Sequence, residues 1–411
     1  MQLKTNLLRS GAVLLLLGAA TACDDSPDVF IPDEPIGGDL FDSYVALGNS
    51  ITAGFQSGGI NDSTQRESYA FLLADQVNTR FAYPSLVFPG CPPPIENFVT
   101  QARVGGPGAP PCSLRDPVSV TDILNNVAVP GATALDPTSG STAASNALTT
   151  FVLGGLTQVE RALLADPTFA TVWIGNNDVL PAGVTGLLTP TPGVSPGFTP
   201  LATFTANYQA IVDGLETAPR LQGGVLIGVV DVSNAPILFP AIALSIPQFK
   251  AGLDQATGQT ITVHPNCNGS TSLISLLIVG AIRSRAHPAF IGCEKNSLPG
   301  MPGAELVGDI FVLDDAEKAT LASVVDEYNT FIALKAAELG FVYYDPNPAL
   351  AELRLTGCVS VIPNIGSPTN PFGECISLDG IHPRLKAHER VANDLIDLIN
   401  AEYEIAIPGI P

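Results

Sequence analysis

Short apolar runs recur along the chain at residues 44–47, 171–174, 225–232 and 341–344. Their length and their content of Val, Ile and Tyr are those of strands buried on both faces of a parallel sheet. Between them, apolar residues return close to the helical period of 3.6. Over residues 143–166 they fall at Leu148, Phe151, Val152, Leu156, Val159 and Leu163. Over residues 316–339 they fall at Leu321, Val324, Val325, Tyr328, Phe331, Ile332 and Ala336. Residues 204–215 and 387–403 behave similarly. Strands alternating with helices predict an α/β fold, a parallel sheet wrapped on both faces, in one domain enlarged by insertions.

Two stretches break the alternation. Residues 91–116 are rich in Pro and Gly and read as a loop. Residues 234–303 are too long for an idle connection, which predicts a lid or binding insertion. The apolar run 273–282 inside it serves equally well as part of a lid or as a helix packed on the core, and it is too short to cross a bilayer.

The first 22 residues stand outside the fold. Lys4 and Arg9, an apolar stretch from Ala12, and the small residues Ala20, Thr21 and Ala22 form an export signal. The cysteine that follows, Cys23, resembles the lipid-modified residue of bacterial lipoproteins, although Ala20 stands where that family usually has Leu. Residues 23–40 read as an acidic tether rich in Pro and Gly, and the folded domain as residues 41–403. An acidic run after a lipidated cysteine resembles a surface-export signal. The implied place is therefore the outer membrane, held by the lipid anchor; the acidic run reads equally well as a signal for display at the cell surface or as a solvated spacer.

Composition narrows the chemistry. The 411 residues carry 39 Asp and Glu against 18 Lys and Arg, a formal charge of −21. Such a surface repels polyphosphate and sets nucleic acid aside as a partner. Beyond Cys23 six cysteines remain, Cys91, Cys112, Cys267, Cys293, Cys358 and Cys375. An even count in an exported chain predicts three disulfides, and their grouping favours local couples. No C-x-x-C occurs and His264, His287, His382 and His388 lack ligand spacing, so no metal and no cofactor are expected.

Four small blocks carry chemistry. In Gly48-Asn49-Ser50, a serine follows a strand and a glycine, at the carboxyl edge of the sheet where ligands bind in open α/β folds. It is not the G-x-S-x-G elbow, because Thr52 occupies the second glycine's place. In Asp379-Gly380-Ile381-His382 the aspartate can fold back over one turn, accept a hydrogen bond from the Nδ1–H of the imidazole and so leave Nε2 free to accept a serine proton. Pro383 suits the first position of the helix that follows. Between these blocks, Gly131 offers an unobstructed N–H and Asn177, in Gly175-Asn176-Asn177-Asp178, offers a side-chain amide at a strand end; both are donors of the kind an oxyanion needs. Each block alone also reads as a cap or a turn.

Taken together and in this order, the four blocks resemble the SGNH (GDSL-type) esterase and lipase family across residues 44–403. The resemblance implies a flavodoxin-like three-layer α/β/α sandwich with a five-stranded parallel sheet. It implies Ser50 as nucleophile, His382 as base and Asp379 as the orienting acid, with an oxyanion hole made by the Ser50 N–H, the Gly131 N–H and the Asn177 side chain. The expected substrate is a carboxylic ester, either an acyl lipid or an acylated glycan. One departure stands out, since Asn49 replaces the aspartate of the usual G-D-S. The competing reading is a surface lipoprotein that uses the same fold for binding without catalysis; an amidase would share the triad.

Overall fold

A computed structural model describes residues 34–108, 112–139, 146, 148–188, 197–294 and 310–411. The expected export signal, Cys23 and the first part of the tether lie outside the described residues.

The central sheet is parallel. Strands β1 (Tyr44–Gly48), β2 (Phe169–Trp173) and β3 (Gly223–Ile227) lie side by side in chain order, followed by the edge strand Val342–Tyr344. Every residue of β1, β2 and β3 is buried, because both faces are covered. Alternation along each strand divides the side chains between two cores. Val45, Leu47, Ala170, Val172 and Leu226 join Val159, Phe204, Tyr208, Leu321, Val325 and Ile332 on one face. Tyr44, Ala46, Phe169, Trp173, Val225 and Ile227 join Tyr69, Leu73, Val391, Leu395 and Ile399 on the other. The chain is therefore the three-layer sandwich expected.

The expectation of five strands needs correction. Among the described residues the parallel sheet has four, and the fifth place is filled by residues 125–129 lying along β1. Ala46 donates to the Asn125 carbonyl at 2.8 Å, and Val127 and Val129 donate to Ala46 and Gly48 at 2.9 and 3.1 Å. The pairing ends with β1, where the Gly48 N–H goes to the Gln158 side chain instead of the neighbouring backbone. After β1 the chain thus crosses first to one neighbour and then, at β2, to the other. A crevice opens where such a reversal occurs, at the carboxyl end of β1.

Helix boundaries follow the caps. The helix Asp315–Leu339 begins with a reciprocal box between Asp314 and Glu317. The expected single helix at 143–166 is two, Leu148–Leu153 and Gln158–Leu164. Gly154 and Gly155 separate them, and Thr157 with Glu160 starts the second anew. The last helix is Leu385–Tyr403, so Pro383 is not its first residue. Pro383 instead pairs with Ile376 in a short antiparallel bridge, and Arg384 N–H bonds the Cys375 carbonyl at 2.9 Å, which delays the helix start.

The long insertion is packed rather than free. Leu238–Pro240, Leu273–Ser275 and Val312–Leu313 form a small antiparallel sheet, carrying the insertion past its expected end at 303. The apolar run continues as the helix Leu277–Arg283, whose Ile278, Val279 and Ile282 are buried. The disulfides are the three local couples expected: Cys91–Cys112, Cys267–Cys293 and Cys358–Cys375. In the chain-entropy account each closed loop of about 20 residues stabilises the fold by roughly 3 kcal/mol.

Candidate active site

Ser50 sits one residue past Asn49, where β1 ends and a single helical turn, Ser50–Ala53, begins. The turn is tight. A Cβ at Gly48 would lie 2.8 Å from both the Trp173 carbonyl oxygen and Thr52 Cβ, so only glycine fits. Gln158 holds Gly48 from the other side, accepting its N–H at 2.9 Å and donating to its carbonyl at 3.0 Å. The Asn49 side chain caps the turn by accepting the Ile51 N–H at 3.0 Å, which is the hydrogen bond that an aspartate would make. Its Nδ2 is buried without a partner among the described residues.

The other end of the chain supplies the imidazole. His382 Nε2 is 2.8 Å from Ser50 Oγ, and His382 Nδ1 is 2.8 Å from Asp379 Oδ2. Both Ser50 and His382 are buried, at 7% and 9% exposure. The ring of Phe55 packs against the imidazole with centroids 4.9 Å apart.

Asp379 collects donors. Its Oδ1 accepts the Ile381 and His382 N–H groups at 2.9 Å and the Ser377 hydroxyl at 3.0 Å, while Oδ2 also accepts the Gly58 N–H at 2.7 Å. Burial alone would raise this carboxyl. The charge of His382 and the hydrogen bonds from the His382 ring, the His382 N–H and the Gly58 N–H outweigh burial and hold it well below the usual carboxylate range. Asp379 therefore stays ionised through neutral pH and fixes the tautomer that leaves Nε2 lone-paired toward Ser50.

Of the residues expected to supply oxyanion donors, Ser50 and Asn177 line one cavity, and Gly131 precedes the residue that Asn177 bonds. Asn177 lines a cavity of about 70 Å³ together with Ser50, Leu180, Val232, Ile381 and His382. Its amide donates to the Ala132 carbonyl at 2.9 Å, which ties it to the turn that carries Gly131. The second N–H of that amide is available to a ligand. Gly131 follows the residues paired to β1 and adopts φ +83°, the left-handed region that favours glycine. Among the described residues the Ser50 and Gly131 N–H groups have no acceptor.

Asp178, beside Asn177, was not marked out for a role by its position in the sequence. It is fully enclosed, and its Oδ2 accepts the Ala134 N–H at 2.8 Å. Thr133 N–H bonds the buried Asp136 at 2.6 Å. Two carboxyl groups thus pin the chain just after Gly131. Burial pushes the Asp178 carboxyl up to about 7, with the nearby Asp136 adding to the rise and hydrogen bonds from Ala134 and Thr199 opposing it. Gln158, Phe55, Gly58 and Ser377 also act through the site's neighbours. The partners of Gln158, Phe55 and Gly58 lie more than 100 residues away, so nothing local in the sequence marks them, whereas Ser377 stands two residues before Asp379 and also accepts the distant Ser57 N–H at 2.8 Å.

His388, which follows His382 by six residues, has a different task. Its Nδ1 accepts the Tyr69 N–H at 3.1 Å within the core, and burial, helped by the charge of His382, pushes its pKa down to about 3. It is a neutral packing residue. Among the described residues no three or more His, Cys, Asp or Glu side chains are grouped to hold a metal ion, and no helix is long and apolar enough to cross a membrane.

No curated protein matches the chain. Among solved structures, a catalytic mutant of an acetylxylan esterase from Geobacillus stearothermophilus aligns at 13% identity, covering 90% of this chain and 97% of that one, with a TM-score of 0.36. An extracellular lipase from Streptomyces rimosus aligns at 15% identity over 85% of this chain and 99% of that one, with a TM-score of 0.35. At these scores the assignment rests on the family match alone. The family described as GDSL-like lipase/acylhydrolase matches residues 44–395, from the first residue of β1 into the last helix, and the chain belongs to that family of ester hydrolases.

Proposed function

We propose that the protein hydrolyses carboxylic esters through an acyl-enzyme on Ser50. The observation that carries this reading is the unbroken line of 2.8 Å contacts from Ser50 Oγ through His382 to Asp379. In the first half-reaction Ser50 Oγ attacks the ester carbonyl while His382 Nε2 takes its proton. The carbonyl oxygen, now negative, is met by the Ser50 and Gly131 N–H groups and the Asn177 amide. His382 then hands the proton to the departing alcohol, and water repeats the sequence to release the acid. A fluorophosphonate probe tests the nucleophile directly: it should add to the peptide bearing Ser50. A chain that takes up no probe would be a binding protein on a hydrolase scaffold.

The oxyanion assignment has its own test. Removing one such donor typically costs about 2.7–4 kcal/mol in the barrier. Asn177→Ala should therefore lower kcat on p-nitrophenyl acetate about a hundredfold or more. Folding stability, followed by denaturant unfolding, should drop only by the loss of the hydrogen bond to Ala132, about 1 kcal/mol. Near-normal turnover would remove Asn177 from the site.

We also propose that Cys23 carries a lipid and holds the mature protein at the outer membrane, with residues 23–40 as a spacer. Support comes from the export pattern of residues 1–22, since two or three acyl chains anchor firmly where one holds only marginally. Cys23→Ser should move the protein from the outer-membrane fraction of a density gradient into the soluble fraction. A variant that stays with the membrane would show that another feature anchors it.

A further inference from the structure

A second cavity, about 290 Å³, lies beside the turn that carries Asp379 and His382. Three loops build it, and each is closed by one of the disulfides. Phe98 comes from the Cys91–Cys112 loop, Leu276, Val279 and Arg283 from the Cys267–Cys293 loop, and Phe372 from the Cys358–Cys375 loop. The loops also grip one another. Phe98 meets Phe372 edge to face at 5.6 Å and donates its N–H to the Pro368 carbonyl at 2.8 Å. The Arg283 guanidinium donates to the Ala256 carbonyl at 2.8 Å and to the Val99 carbonyl at 3.2 Å, joining the second loop to the first.

The remaining wall is Ile237, Leu378, Asp379 and Ile381, the last of them one residue before His382. Ile381 also lines the small cavity that holds Ser50, Asn177 and His382. The two spaces therefore share a side chain, and a ligand leaving the small cavity over Ile381 enters a pocket lined mostly by aliphatic and aromatic side chains, with Gln101, Asp379 and the carbonyl-bonded Arg283 as its polar members, of the size and character that suit an apolar ligand. Which half of an ester faces that way follows from proton transfer. The departing oxygen must come within hydrogen-bond reach of His382 Nε2, whereas the carbonyl oxygen turns toward Asn177 and Gly131. The alcohol half is thus the half on the His382 side, next to Ile381.

We propose that this cavity binds the hydrocarbon portion of the alcohol, making the preferred substrates esters of lipophilic alcohols. The inference rests on Ser50 and His382 acting as proposed above. Gly280 offers a clean way to test it, because it lines the cavity, lies in the helix Leu277–Arg283, and a Cβ there would meet nothing within 4 Å. Gly280→Phe should place a ring in the opening without displacing backbone.

The experiment compares kcat/KM for ethyl, butyl and octyl acetate with that for ethyl butyrate and ethyl octanoate, in a pH-stat. Each buried methylene is worth at most roughly fourfold. The wild-type protein should favour octyl over ethyl acetate by about tenfold or more, with no comparable gain along the acyl series. In Gly280→Phe the octyl-to-ethyl ratio should fall to within about twofold of unity, while Gly280→Ala should keep the wild-type ratio. A gain along the acyl series instead, a flat response in both series, or an unchanged ratio in Gly280→Phe would overturn the proposal while leaving ester hydrolysis intact. Loss of turnover on every ester, together with absent fluorophosphonate labelling, would count against the nucleophile itself.

Discussion

Replacing Ser50 by alanine should reduce ester hydrolysis to background, a fall of about a million-fold when a nucleophile is removed from a working triad. The reason is the position of the hydroxyl. It stands at the end of β1, held there by the glycine turn and by the Gln158 clamp on Gly48, and among the described residues its Oγ bonds His382 alone. The fold should barely notice. Ser50→Ala removes one buried hydrogen bond, about 0.5–1.5 kcal/mol, and leaves the turn glycine, the Asn49 cap and both cores in place. Turnover of p-nitrophenyl acetate and the melting temperature, measured on the same preparation, separate the two effects. Persistent hydrolysis by a well-folded variant would move the nucleophile elsewhere.

Asp379→Asn should cost about ten-thousandfold in kcat, the scale seen when the orienting carboxylate of a triad becomes an amide. Asp379 holds the Nδ1 proton of His382 with Oδ2 and accepts four further donors. An amide can accept on one atom only and presents N–H groups at the other. If those groups face Nδ1, the imidazole must put its proton on Nε2, and it can no longer accept the proton of Ser50. If they face the loop in the place of Oδ1, they meet the N–H groups of Ile381 and His382 head-on. Either orientation loses the charge that stabilises the imidazolium formed during attack. A residual rate within about tenfold of the wild type would show that Asp379 serves only to shape the turn, and the rate of labelling by a fluorophosphonate should fall in parallel with kcat.

Of the fold, the buried strands and the amphipathic helices were legible because their patterns are local. Val45 and Leu47 against Tyr44 and Ala46 already describe two faces, and Asp314 with Glu317 announces a helix start within four residues. The break between Leu148–Leu153 and Gln158–Leu164 was also written locally, in Gly154, Gly155 and Thr157, yet the continuing apolar period masked it. The misplaced start of the last helix has another cause. Pro383 is permitted at a first helical position, but the bridge to Ile376 and the hydrogen bond from Arg384 to Cys375 are tertiary, and they win. The same holds for the fifth strand position, where pairing to β1 is made by residues 125–129 that show little strand character of their own.

By itself, then, the sequence determined the alternation of strands and helices and the four blocks whose order marks the family; it favoured local cysteine couples, and the structure made the pairing. Those features depend on neighbours within one turn, one strand or one short loop. Only the tertiary structure decided that Ser50 and His382, separated by 332 positions, meet at 2.8 Å, that Gln158 and Asp178 brace the backbone around them, and that three crosslinked loops enclose an apolar space next to the imidazole. Such contacts are set by how whole layers pack and by which elements the sheet's reversal brings to one edge, and packing of that range leaves no local trace in the order of residues.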